Sequence, residues 1–224
     1  MTARRALVPV CALLLLVLAP AAQAKKKGTP TGPLDEGRLE PTWFGGPLPF
    51  KEVDDHDLDV DYLWVKDGFA IDGHSFHFVD WPEPVFLGDS EPDANDRRLA
   101  RQMNNDLPQM FQETLADDWK GKATTSLTSG DVKVEGRIVD CSTGSTAAKV
   151  WVGFGAGAGN TTLDLKFVDA KSGELLAALH QRVVSGSTWS TTDSKLANWI
   201  DELGVAVAQK GLANLYAKGD SVDD

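Results

Sequence analysis

The chain has 224 residues, and its 22 basic and 33 acidic side chains give a formal charge of −11. Such a surface repels phosphate backbones and anionic headgroups, which argues against nucleic acid and against electrostatic membrane docking. Its two cysteines are Cys11 and Cys141; with Cys11 inside an expected leader, no intramolecular disulfide is left, and a core of this size needs none.

Arg4 and Arg5 precede an apolar run over residues 6–22, and Ala22-Gln23-Ala24 has the small-x-small form of a secretory cleavage site. Residues 1–24 are therefore expected to be a signal peptide, and the protein periplasmic or secreted. Pro9 and Pro20 interrupt a run already short for a membrane span, which needs about 20 apolar residues. Val8-Pro9-Val10 before Cys11 is not a lipobox, so lipoprotein anchoring is not expected. Membrane association would require the segment to stay uncleaved, which the flanking Lys25-Lys26-Lys27 would suit. Removing residues 1–24 takes two arginines and no acidic residue, lowering the charge to −13.

Residues 25–50 have no periodicity and hold Pro30, Pro33, Pro41, Pro47 and Pro49, the composition of a Pro/Gly-rich linker or arm. Trp43 and Phe44 within it could dock on a folded body. That body is expected over residues 51–218 as one domain, with 219–224 as a tail. Residues 62–65 and 75–81 read as strands, the second closed by Pro82 and Pro84. Ser90 is a candidate helix cap ahead of Pro92. Leu99, Met103, Leu107, Phe111, Leu115 and Trp119 then recur at helical spacing, with Pro108 expected to kink or split the helix and Asp106 to cap its second piece.

A β-rich half follows. Val132, Val134, Gly136 and Ile138 alternate with Lys133, Glu135 and Arg137, and Leu163, Leu165 and Phe167 alternate with Asp164 and Lys166. Between them, residues 148–154 read as a further strand, running into Gly153, Gly155, Gly157 and Gly159. Glycine in a strand costs roughly 0.5–1 kcal/mol relative to alanine, so such a face implies a close backbone approach. Asp169-Ala-Lys-Ser-Gly173 is a hairpin turn, Asp169 bonding its own backbone and Gly173 taking a positive φ. Residues 175–184 return as a strand. A last helix starts near residues 191–194 and runs past Leu215 to a stop at Gly219. The expected fold class is α+β, an α/β sandwich-like arrangement: a single mixed, largely antiparallel sheet with two main helices packed on one face.

The stretch from Val134 to Val184, with Val150-Trp-Val-Gly-Phe-Gly-Ala-Gly157 and Val168-Asp169-Ala170 leading to Ser172-Gly173-Glu174, resembles a bacterial envelope family known only as domain of unknown function "four-four-one-zero". The resemblance covers roughly the last two thirds of the chain. It implies a small α/β envelope domain without an established activity. Many members of that family are lipoproteins, but this sequence lacks a lipobox, so their anchoring is not expected here.

The chemical motifs fall short one by one. Gly153-x-Gly155-x-x-Ala158 imitates a dinucleotide fingerprint, but a strand follows where a helix must hold the pyrophosphate, so no nucleotide is expected. Asp54, Asp55, Asp57, Asp59 and Asp61 suggest calcium, yet Val60 and Lys66 stand where an EF-hand needs glycine and glutamate. His74 and His77 would point to opposite faces of a strand, and Cys141 reads as a small buried side chain. No metal or other cofactor is expected. Asp164 and Glu174 are the carboxylates one could consider for a glycosidase pair. Of the seven tryptophans, Trp43, Trp81 and Trp189 lie in or beside loops, where they could anchor a protein partner or a glycan, Trp81 and Trp189 being the candidates taken forward. The function these features favour is a non-enzymatic binding or assembly module for another envelope component, contacted through loop aromatics and an exposed sheet edge. An envelope hydrolase using acidic residues and a carbohydrate-binding module are the alternatives.

Overall fold

The computed structural model describes residues 39–55, 58–88, 91–142, 159–184 and 192–222. The glycines 153, 155 and 157, the strand expected over residues 148–154, Trp189 and the signal peptide expected over residues 1–24 all lie outside them. Among the described residues, β1 (Lys51–Asp55), β2 (Leu58–Val65), β3 (Ser75–Phe78), β4 (Thr124–Ser126), β5 (Val132–Ser142), β6 (Asn160–Asp169), β7 (Leu175–Val184) and β8 (Asp220–Ser221) form one sheet, in the order β4-β3-β5-β6-β7-β2-β1-β8. The helices are α1 (Ala94–Asp118), α2 (Thr192–Lys210) and α3 (Leu212–Lys218). Strand β3 runs parallel to β4 and β5, and every other pairing is antiparallel. The helix α1 makes the crossover that joining parallel β3 and β4 requires. This is the mixed α+β sheet that the periodicities predict.

The centre of the sheet is the β5–β6–β7 meander. Its β6–β7 turn is built as its composition demands: Asp169 Oδ1 accepts from the backbone N–H of Lys171 and Ser172 at 3.1 and 2.7 Å, and Gly173 has φ +74°. Most of the acidic stretch lies in the paired strands β1 and β2, with Asp54 opposite Asp59 and Asp55 opposite Leu58. Leu58, Val60, Leu63 and Val65 on β2 are buried in the main core. Strand β3 stops at Phe78, short of Trp81, but residues 79–87 continue beside β5: the amides of Val79, Val85 and Leu87 bond to Val134, Ile138 and Val139 oxygens. Asp220 and Ser221, within the expected tail, pair with β1 as an edge strand.

Helix α1 starts later than Ser90 suggests. Asp93 caps it, accepting from the amides of Asn95 and Asp96, while Asp96 returns a carboxylate oxygen to the Asp93 amide at 3.0 Å. Pro108 does not split it. A mid-helix proline costs about 3 kcal/mol, but Met103, Leu107, Phe111 and Leu115 are buried on both sides of it, and each such side chain recovers roughly 1.5–3 kcal/mol. The C-terminal helix, expected as one, is two. Gly211, at φ +80°, breaks it, and Gly219 ends α3 with its amide on the Leu215 and Tyr216 oxygens.

The helices pack on one face of the sheet. There α1 and α2 approach closely at Gly204, where a Cβ would fall on the Asp118 carboxylate and against Leu115, and Trp119 Nε1 donates to the Gly204 oxygen at 3.2 Å. Asp118 Oδ2 is buried without a hydrogen-bond partner. Burial raises this carboxyl's pKa, and the Asp201 and Asp117 charges raise it further. A carboxyl raised in the folded state destabilises the protein once pH exceeds the folded value, and the penalty vanishes below the ordinary value near 4. Asp118→Asn is therefore expected to raise the melting temperature at pH 7 by a few degrees, with the gain fading as pH falls below about 4. Equal melting temperatures at pH 7 would refute this.

Candidate functional site

The opposite face carries the chemistry. Arg137 on β5 stands directly across from Asp164 on β6, Asp164 from His180 on β7, and His180 from Tyr62 on β2. These four positions form a straight row over the central strands. Strand alternation makes it: the residues in phase with Val134 and Ile138 face the helices, and those in phase with Arg137 face away. Arg137 Nε donates to Asp164 Oδ2 at 2.8 Å, and Nη2 lies at the same distance from that oxygen. His180 Nδ1 lies 2.6 Å from Asp164 Oδ1. A carboxylate oxygen accepts, so against one the ring nitrogen is the donor. Arg137 is 4% exposed, and Asp164 and His180 are fully buried.

Part of the arm covers this face. A single turn of 3-10 helix, Pro41–Phe44, stands beside the row, and Leu39, Phe44 and Phe50 form a small apolar cluster with Tyr62 and Ala178. Glu40 Oε2 accepts from Arg137 Nη1 at 2.8 Å. That bond holds the Glu40 carboxyl below its usual range, against the opposing effect of partial burial. The Trp43 ring centroid lies 4.6 Å from Arg137 Cζ and 4.3 Å from Lys166 Nζ. Lys166 in turn pairs with Glu135 at 2.9 Å. Between arm and sheet runs a groove of about 420 Å³ lined by Trp43, Lys133, Glu135, Lys166 and the β6–β7 turn.

Of the residues singled out in the sequence, Asp164 lies in this row and Trp43 beside it, while the others are scattered. Trp81 is not a surface anchor. It is 8% exposed, on the helix face, tilted against Phe111 at 6.1 Å and seated on Gly136, where a Cβ would fall on its ring. The carboxylates Asp164 and Glu174 are not brought together: Asp164 is buried mid-strand, and Glu174 pairs with Lys66 at 2.6 Å beyond the β7 end. Of the acidic stretch, Asp55 pairs with Lys210 at 2.7 Å and Asp61 Oδ2 accepts from the Arg182 amide. Among the described residues, no three His, Cys, Asp or Glu side chains gather as metal ligands. Cys141 is buried near Thr161. Among the described residues the sheet ends in β4 and β8, of three and two residues, too short to offer much ladder to an added strand.

His74, Ser75 and Asp131 meet at the far end of β3, but not as a nucleophilic triad. Asp131 Oδ1 accepts from the Ser75 amide and hydroxyl, both at 2.6 Å, and Oδ2 lies 2.7 Å from His74 Nδ1. The serine is thus held by the carboxylate instead of by the imidazole that would activate it. Burial alone would raise the Asp131 pKa, but the Ser75 and His74 hydrogen bonds outweigh it and hold the carboxyl well below the ordinary range. A depressed carboxyl contributes stability above the unfolded pKa near 4 and loses it as pH falls toward the folded value. Asp131→Asn is expected to lower the melting temperature at pH 7, with the gap to wild type narrowing steadily below pH ~4. A pH-independent gap would show that charge is not what Asp131 contributes.

The family model described as Domain of unknown function (DUF4410) matches residues 63–188, more than half of the chain. The chain belongs to this family. The DUF4410 match takes in Arg137, Asp164, His180 and helix α1, whereas the arm, α2 and α3 lie outside it. Among solved structures, the PelC dodecamer from Paraburkholderia phytofirmans aligns with a TM-score of 0.41 at 11% identity, over 62% of this chain and 96% of that one. Protein XCC0632 from Xanthomonas campestris, of family DUF330, aligns with a TM-score of 0.36 at 9% identity, over 69% and 91%. No curated protein matches the chain.

Proposed function

We propose that this DUF4410 protein is exported and works as a non-enzymatic binding or assembly module for another envelope component, which it engages on the arm-covered face of the sheet. Export rests on Arg4 and Arg5, the apolar run and Ala22-Gln23-Ala24. The observation that carries the binding role is the groove beside Trp43, a half-buried aromatic flanked by Lys133, Lys166 and Glu135 on a rigid sheet. An amphipathic ring among charged groups is the composition of a recognition surface. No helix of the described residues is long and apolar enough to cross a membrane. The same groove gives the carbohydrate reading a better aromatic than Trp81, because Trp43 lines open space and Trp81 is buried.

In-cell crosslinking, affinity purification and mass spectrometry test this. The expected result is a mature chain beginning at Lys25 and one reproducible envelope protein in the eluate, lost with Lys133→Glu in the groove. A recovered chain that enriches no protein would overturn the assembly role, and binding to a soluble glycan array would then assign the groove to sugars.

A further inference from the structure

We propose that the face beneath residues 39–46 is a receptor for short segments carrying a carboxylate followed closely by aromatic side chains on a helical turn, and that the chain's own arm fills it in cis until a partner segment of that chemistry displaces it. This rests on the binding role above and names the partner's chemistry: the groove's sheet side, Lys133, Glu135 and Lys166, stays, and a partner ring takes the place of Trp43. The receptor is preorganised. Arg137 Nε donates to Asp164 Oδ2, Nη2 lies within ion-pair distance of the same oxygen, and His180 holds the other one, so the guanidinium is fixed with Nη1 left for an incoming carboxylate. Glu40 supplies that carboxylate now. Three residues on, the Trp43 ring meets the cations of Arg137 and Lys166, the contact an electron-rich ring face favours. Phe44 then enters the apolar patch, edge-on to Phe50 at 5.5 Å.

The arm is built so that this part can leave by itself. Gly45 and Gly46, at φ +91° and +139°, separate Phe44 from Pro47. Phe50, directly before β1, remains as the anchor. A tethered segment competes at an effective concentration of order millimolar, so free segments meet an occupied site and bind weakly until the tether's contacts are loosened.

The test uses the full chain and a synthetic peptide of residues 39–46, Leu-Glu-Pro-Thr-Trp-Phe-Gly-Gly. Hydrogen exchange is read at the amides of Trp43, Gly45 and Gly46, which bond to the oxygens of Glu40, Thr42 and Pro41. Millimolar peptide is expected to speed exchange there about tenfold while the β5–β6 ladder is unchanged, and peptides with glutamine for the glutamate or alanine for the tryptophan are expected to do nothing. A Glu40→Ala/Trp43→Ala chain, its receptor side intact, is expected to bind the parent peptide at least about tenfold tighter than wild type. Should that variant fold poorly, the exchange experiment on the wild type decides alone. Arm amides indifferent to peptide would overturn the proposal even if a crosslinked envelope partner is found, because that partner would then bind elsewhere. Acceleration by the two altered peptides would overturn it equally.

Discussion

Replacing Arg137 by methionine is expected to destabilise the protein by about 3–5 kcal/mol, the cost of leaving a buried carboxylate without its cation. Asp164 has no exposed surface, and with Arg137 gone its described side-chain partner is His180 Nδ1 at 2.6 Å. The arm would loosen as well, since Glu40 loses its donor and Trp43 one of its two cations. In a domain of this size each kcal/mol moves the melting temperature by roughly 2–4 °C, so a fall of about 10 °C is expected, with denaturant midpoints as the independent check. Glu40→Gln, which removes only a surface-accessible end of the network, is expected to cost about 1 kcal/mol or less. If the two variants were equally stable, the row would owe nothing to the buried charge.

Gly136→Ala is expected to cost about 2–3 kcal/mol, near the upper end for overpacking by a single methyl. The added Cβ falls on the Trp81 indole, and that ring has little room to retreat: Phe111 lies against it at 6.1 Å, and Asn104 Nδ2 donates to the Trp81 and Pro82 oxygens at 3.3 and 2.7 Å. The clash is between two named side chains, so it has a specific rescue. A Trp81→Leu/Gly136→Ala chain is expected to be more stable than the sum of its single changes predicts, by about 1 kcal/mol or more. Additive costs in that double-mutant cycle would show that Gly136 is small for some other reason.

These two sites also mark how far the amino-acid order could be read. The alternation of Val132, Val134, Gly136 and Ile138 with Lys133, Glu135 and Arg137 identifies the strand and its two faces without any tertiary information. It equally identifies Arg137 and Asp164 as polar-face residues, and from there the inference to solvent exposure is natural and wrong. Their burial depends on the register that sets Arg137, Asp164 and His180 abreast, and on an arm whose docking has no periodicity to reveal it. The presence of Trp43 and Phe44 in an otherwise proline- and glycine-rich arm was the one available hint. Trp81 misled for the converse reason. It sits just before Pro82 and Pro84, where a loop is expected, but Gly136 opposite makes room for it in the core.

Local chemistry alone therefore determined the acidic character, the strand and helix periods, the Asp169–Gly173 turn and the α+β class, because each depends on composition or on residues a few positions apart. Tertiary structure decided what those elements do to one another: that α1 runs unbroken through Pro108, that most of the acidic stretch enters paired strands, and that a charged row lies beneath the arm. Each of these outcomes is set by burial and pairing between residues far apart in the chain, whose free energies outweigh local propensity and leave no trace in local spacing.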